Sequence, residues 1–216
     1  MYIDAIHDKK SDLIKVVERH SSGRVFQEYP AKYTFYYDDP KGKFKSIYGN
    51  SVTRVLCKNT KSFKKERALV SHKQLYESDI NPVIQCLSEN YLNSDKPEPN
   101  ICFWDIESDF CKTRGYATPE DPFLKITSIT LYYKWLDLLL TLAIPPQSVS
   151  NSILEKIKND YNGCVIFYDN ETQMLSALLE FIQDVDILSG WNCTTYDIPY
   201  TINRIARVLN KGETRK

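Results

Sequence analysis

Apolar residues recur at every second position in short runs over the first part of the chain, which predicts strands. Ile14 and Val16 begin one, Arg19-His20-Ser21-Ser22-Gly23-Arg24 reads as a hairpin into Val25-Phe26, and Tyr33-Thr34-Phe35-Tyr36-Tyr37 is an aromatic strand closed by the turn Asp38-Asp39-Pro40-Lys41-Gly42. Phe44 to Tyr48 and Val52 to Leu56 predict two more. The period then lengthens. Ser62 to Lys73 suits a helix with Phe63, Leu69 and Val70 as its apolar positions. Pro82 to Tyr91 predicts a second, with Asn81 as N-cap, Pro82 in the first turn and Val83, Ile84, Leu87 and Tyr91 on one face. Leu92 to Asn100, rich in Asn, Pro and charge, reads as a linker, and a boundary there divides the chain into domains 1–99 and 100–216.

The stretch Ile101-Cys102-Phe103-Trp104-Asp105-Ile106-Glu107 is an apolar strand interrupted by two acids. Side chains alternate across a strand, so Ile101, Phe103, Asp105 and Glu107 share one face and Cys102, Trp104 and Ile106 the other. A strand apolar on both sides belongs inside a sheet. Two acids roughly 7 Å apart on one face are costly to bury unless a cation cancels them. Asp109 to Pro122 reads as a loop. Ile126 to Tyr133 alternates as a strand, Lys134 to Asp137 turns, and Leu138 to Ile144 returns until Pro145-Pro146 stops it, an antiparallel meander. Cys164 to Tyr168 is a short strand. Asp169 or Asn170 then caps a helix through Gln183 bearing Met174, Leu175, Leu178, Leu179 and Ile182, and Asp186 to Trp191 comes back as a strand. This order predicts an α/β (α+β) chain, a β-rich first domain followed by a mixed sheet.

Composition narrows the class. Hydrophobic residues make up 42% and aromatics 12% of the 216 residues, as in a soluble globular protein, and no apolar run approaches the roughly 18 residues of a membrane span. No secretory signal opens the chain. The six cysteines include no C-x-x-C pair and read as reduced thiols of a cytoplasmic protein. A zero net charge hides an asymmetry: residues 1–75 hold 16 Lys+Arg against 8 Asp+Glu, and residues 76–216 hold 12 against 20. Nine basic residues between Lys41 and Arg67 meet only Glu66. Lys41, Lys43, Lys45, Lys64 and Lys65 are therefore candidates for a phosphate backbone, DNA or RNA, although a solvated lysine face has the same composition. Aromatic strands beside lysines suit stacked bases. They suit an ordinary β core as well, which is the reading the residues favour.

A second constellation lies at Gly190-Trp191-Asn192-Cys193-Thr194-Thr195-Tyr196-Asp197-Ile198-Pro199-Tyr200. A strand ends at Asn192, and a helix begins near Pro199 with Ile198, Ile202, Ile205, Ala206 and Leu209 at helical spacing. Asp197 before that proline is the usual place for an N-cap. Taken with the earlier strand, the pattern resembles the exonuclease signatures of the family B DNA polymerases. Trp104-Asp105-Ile106-Glu107 matches the first motif, Asp-x-Glu, and Asn192-x-x-x-Tyr196-Asp197 the second. Tyr33 to Pro40 and Ser46-Ile47-Tyr48-Gly49 look like the amino-terminal domain of the same family, most similar to polymerases of T-even-like tailed phages.

The resemblance implies a ribonuclease H-like exonuclease fold that removes mispaired primer ends in the 3′ to 5′ direction. Two divalent ions, Mg2+ or Mn2+, would activate water and stabilise the leaving oxygen. Asp105 would bridge both ions, Glu107 would serve the nucleophile side and Asp197 the other, while Asn192 and Tyr196 would hold the terminal nucleotides. The implied partners are single-stranded or primer-template DNA and the remaining polymerase domains, in the host cytoplasm if the gene is a phage's. The third motif, Tyr-x-x-x-Asp, does not follow Asp197 before Lys216. This departure implies an incomplete metal site and a fragment inactive alone; a non-catalytic nucleic-acid-binding or polymerase-docking module is the alternative.

Overall fold

Alternation organises the first part of the chain into two antiparallel sheets. In the computed structural model, which describes residues 2–94 and 98–209, β1 (Tyr2–Asp8), β2 (Leu13–His20) and β3 (Gly23–Pro30) form one sheet in that order. The second contains β4 (Tyr33–Asp38), β5 (Phe44–Lys45), β6 (Ser51–Cys57) and, after helix α1 (Thr60–Leu69), β7 (Leu75–Tyr76), in the order β5-β6-β4-β7. Helix α2 (Pro82–Tyr91) closes the unit, and its Tyr91 ring meets Tyr2 edge-on at 5.4 Å. The core gathers Ile14, Val16, Ala31, Tyr33, Phe35, Cys57, Cys86 and Tyr91. Tyr33 and Phe35 are buried there, as the core reading of the aromatic strand expects, while Tyr36 on the opposite face packs against Phe44.

Three local expectations change. The strand predicted over Phe44 to Tyr48 stops at Lys45, because the Ser46 hydroxyl accepts the amides of Tyr48 and Asn50, both at 3.2 Å, and turns the chain. Helix α1 starts two residues earlier and ends sooner than predicted, set by a capping box between Asn59 and Ser62. On α2 the cap and bounds are as expected, with Asn81 Oδ1 accepting the Val83 amide at 2.9 Å. Its inward face, however, carries Cys86 in place of Ile84, which is 60% exposed.

The chain divides into two compact units at Glu98/Pro99. Part of the predicted linker, residues 95–97, lies outside the described residues. The second unit is built on a mixed sheet of β8 (Ile101–Ser108), β9 (Ile126–Tyr133), β10 (Leu138–Ala143), β11 (Val165–Phe167) and β12 (Ile187–Ser189), in the order β11-β10-β9-β8-β12. The three-stranded meander β8-β9-β10 is antiparallel, and β11 and β12 join its two sides in parallel. Helix α3 (Asn151–Asp160), not predicted from the sequence, precedes β11; α4 (Glu171–Phe181) and α5 (Asp197–Val208) pack Met174, Leu175, Leu178, Tyr200 and Ile205 into one core with Cys102, Trp104 and Ile106. This architecture is compatible with a ribonuclease H-like exonuclease domain behind a β-rich first part. No helix among the described residues is long and apolar enough to cross a membrane.

Candidate active site

Strand β8 lies inside its sheet, yet its two faces differ. Cys102, Trp104 and Ile106 are buried under the helices, whereas Phe103, Asp105 and Glu107 are exposed on the other face. The acids are thus not buried, which corrects the expectation drawn from an apolar strand: the helices cover only one face, and the carboxylates keep their water. Their register is fixed by β9, with Asp105 opposite Thr130 and Glu107 opposite Ser128. Immediately beyond Glu107 the register slips by one residue, leaving Thr127 as a bulge whose hydroxyl donates to the Glu107 carbonyl at 3.1 Å. Bulges of this kind re-aim the adjoining side chain.

The other carboxylate arrives from the opposite edge. Strand β12 pairs with β8 only as far as Ser189, opposite Phe103, so the edge of β8 beyond that point is open. Gly190 passes so close to it that a Cβ there would stand 2.3 Å from the Trp104 carbonyl oxygen; only glycine fits. The predicted strand to Asn192 therefore ends at Ser189. Asn192 turns the chain in the left-handed region (φ +55) and its carbonyl accepts the Thr195 and Tyr196 amides, both at 3.1 Å. Its side chain accepts the Thr195 hydroxyl. Tyr196 stacks on Tyr200 at 5.4 Å, and its hydroxyl donates to the Ala117 carbonyl.

Helix α5 begins at Asp197, two residues before the predicted start, and the cap position is Tyr196. Asp197 is therefore inside the helix and not its N-cap. The residue is 5% exposed, with its carboxyl beside the Ile106 amide at the open edge of β8. Burial, and then the negative charges of Asp105 and Glu107, push its pKa above the ordinary carboxylate value, with its own amide and that of Ile106 offsetting part of the rise.

The three predicted acids thus share one electrostatic neighbourhood. Their hard oxygens suit Mg2+ or Mn2+, and the repulsion acting on Asp197 is the kind a bound cation would relieve. As they stand, no three His, Cys, Asp or Glu side chains among the described residues are grouped closely enough to hold an ion. The expected cage is open, in keeping with the mutual repulsion of uncompensated carboxylates.

Two residues the sequence did not single out hold α5 in place. Glu171, in the first turn of α4, accepts the Ile126 amide at 2.7 Å and both the Nε and Nη2 of Arg204 at 2.8 and 2.6 Å, while Arg204 Nη1 donates to the Pro122 carbonyl at 3.0 Å. Arg204 stands seven residues after Asp197, on the same side of the helix, the available signal for its role. The lysines are all exposed but divided. Lys41, Lys43 and Lys45 belong to the β5–β6 hairpin at the Ser51 end of β6; Lys64 and Lys65 ride on α1, which packs through Phe63 against Tyr33 and Phe35 toward the Cys57 end.

Residues 55–214 match the family described as DNA polymerase family B, exonuclease domain. Over 51 residues the chain is 37% identical to the DNA-directed DNA polymerase of Escherichia phage RB69, a stretch covering 23% of this chain and 6% of that protein. Over 46 residues it is 44% identical to the DNA polymerase delta catalytic subunit of Drosophila melanogaster, covering 20% and 4%. The aligned stretches are thus a small part of either relative's length. Because the family match takes in well over half of the chain, this protein belongs to the family B DNA polymerases by its exonuclease domain.

Proposed function

We propose that the second unit contributes Asp105, Glu107 and Asp197 to a metal-dependent 3′ to 5′ proofreading exonuclease acting on single-stranded or frayed primer-template DNA, within a replicative polymerase. Exonuclease domains of this family use divalent metals. The observation that carries the reading is the placement of a buried Asp197 at the open edge of β8, where burial first and then the charges of Asp105 and Glu107 raise its pKa. When bound, the ions supply Lewis acidity to the attacking water and the leaving oxygen. The protein's own part is to hold Asp197 at the open edge of β8 and to present Asp105 and Glu107 on the strand's exposed face. Asn192 and Tyr196 are proposed to contact the terminal nucleotides.

The test is a titration of the purified chain with Mn2+ by calorimetry, alongside degradation of a labelled single-stranded oligonucleotide. The reading expects Mn2+ binding that Asp105→Ala and Asp197→Asn each weaken at least tenfold. Binding indifferent to both changes sinks it, and rapid degradation abolished by Asp105→Ala overturns the expectation of low activity alone. A second reading, a nucleic-acid-binding module that works without chemistry, is favoured by the exposed lysines of the β5–β6 hairpin. It expects salt-dependent binding that survives Asp105→Ala and fails when Lys43 and Lys45 are reversed in charge.

A further inference from the structure

A cavity of about 360 Å3 opens on the second sheet of the first unit, within the size range of pockets that take small ligands. It is lined by Tyr36, Phe44, Lys45, Val52, Tyr76 and Glu77, with Ser46 and Ile47 at its rim. Phe44 comes from one outer strand and Tyr76 from the other, so aromatic surface flanks both sides. Tyr36 and Phe44 stand edge to face at 5.8 Å, and Tyr48 leans on Tyr76 at 6.4 Å.

Packing does not account for three features of this place. Ile47 and Tyr48 are 90% and 75% exposed and Phe44 47%, three large apolar side chains turned to water on one hairpin. Glu77 holds φ +57, a left-handed conformation unfavourable for a residue with a side chain, and such outliers gather at binding sites. Lys41, Lys43 and Lys45 are exposed on the same hairpin, with Lys45 Nζ kept in place by the Ser51 hydroxyl at 3.0 Å. Ser46 and Ile47 at this rim lie outside the residues 55–214 that match the exonuclease family.

We propose that the cavity receives one unpaired base of a single-stranded nucleic acid, stacked against Phe44, Tyr36 and Tyr76, with Lys43 and Lys45 on the flanking phosphates. The charge arrangement orients the ligand. The Glu77 carboxylate accepts only from N–H or O–H donors, so it suits a base edge and repels phosphate, whereas the lysines do the reverse. Ile47 and Tyr48 close over the stacked base and lose their exposure. The proposal rests on the binding-module reading above and not on the exonuclease.

The experiment titrates the full chain with fluorescein-labelled single-stranded DNA and RNA of about ten nucleotides at low salt, followed by anisotropy. Phe44→Ala is expected to weaken binding of either strand about tenfold, the usual loss for one stacked base, and Ile47→Glu to weaken it similarly. Ile47 is so exposed that its variant keeps the fold, which circular dichroism checks. Under ultraviolet light, 5-bromouracil oligonucleotides are expected to cross-link to a peptide containing Phe44 or Tyr76. Unchanged affinity in Phe44→Ala and Ile47→Glu, with binding lost on reversing Lys43 and Lys45, keeps the basic hairpin and overturns the pocket. No binding by the unaltered chain overturns both.

Discussion

At Asp197 two opposing demands meet. The fold wants the helix start buried against β8, and the like charges of Asp105 and Glu107 oppose an ionised carboxylate there. Its folded pKa is raised, so the favourable contribution of the protonated form is fully present below the ordinary value of 3.8 and is lost as pH rises through the raised one. Without metal at neutral pH, Asp197→Asn is therefore expected to raise the melting temperature of the second unit by a few degrees, on the order of 1 kcal/mol. On the proposed metal site, Mg2+ at ten times its dissociation constant is expected to stabilise the unaltered chain by about 1.4 kcal/mol, and the variant to lose most of that gain; a calorimetric melt with and without metal reads both. Glu18 shows the opposite sign. The Tyr91 hydroxyl first, then His20, hold this buried carboxyl below its ordinary value despite desolvation. Its stabilisation is complete above pH about 4.5 and fades as pH falls through the lowered value. Tyr91→Phe leaves the charge short of a donor and costs roughly 2 kcal/mol at neutral pH, and melts at pH 7 and pH 3 are expected to differ less in this variant than in the unaltered chain.

At the scale of elements, α5 shows what periodicity conveys and what it hides. The apolar spacing selects Ile198, Ile202 and Ile205, yet Ile202 is 46% exposed while Asp197, Tyr200 and Thr201 are buried. Two polar groups of the inward face find partners, the Tyr200 hydroxyl donating to the Leu124 carbonyl at 2.9 Å and Arg204 pairing with Glu171, while Thr201 Oγ1 is buried without one. Hydropathy cannot anticipate that a polar side chain will be satisfied by a distant segment. For the same reason the exposure of Asp105 and Glu107 was not legible, since it depends on the helices covering one face only, whereas the meander β8-β9-β10 was legible because its strands and turn are set by local alternation and by Asp137 at φ +47. α3 escaped notice because Ile153, Leu154 and Ile157 are a thin stripe with no buried member. The Glu171–Arg204 pair should be the strongest single tie of α5 to the sheet. Glu171→Ala leaves a nearly buried guanidinium without its counter-ion, at a cost of about 3 kcal/mol. Hydrogen exchange is expected to rise most in peptides spanning α5 and the start of β9, and an increase confined to α4 would contradict this role.

Over the whole molecule, the chain divides at Glu98/Pro99, and each side carries its own hydrophobic cluster. A domain with a core of its own is able to melt as its own cooperative unit. The positions of the tryptophans make this testable without labels, because Trp104, Trp135 and Trp191 all follow the boundary and none precedes it. Tryptophan fluorescence therefore reports the second unit alone, while far-ultraviolet circular dichroism reports both. Tyr91→Phe weakens a contact of the first unit and Glu171→Ala one of the second. In urea, the first change is expected to move an early part of the dichroism transition and leave the fluorescence midpoint in place, and the second to shift the fluorescence midpoint by roughly 1–2 M for a loss of about 3 kcal/mol. If both changes move both signals together, the two cores unfold as one, and the division at Glu98/Pro99 is geometric without being thermodynamic.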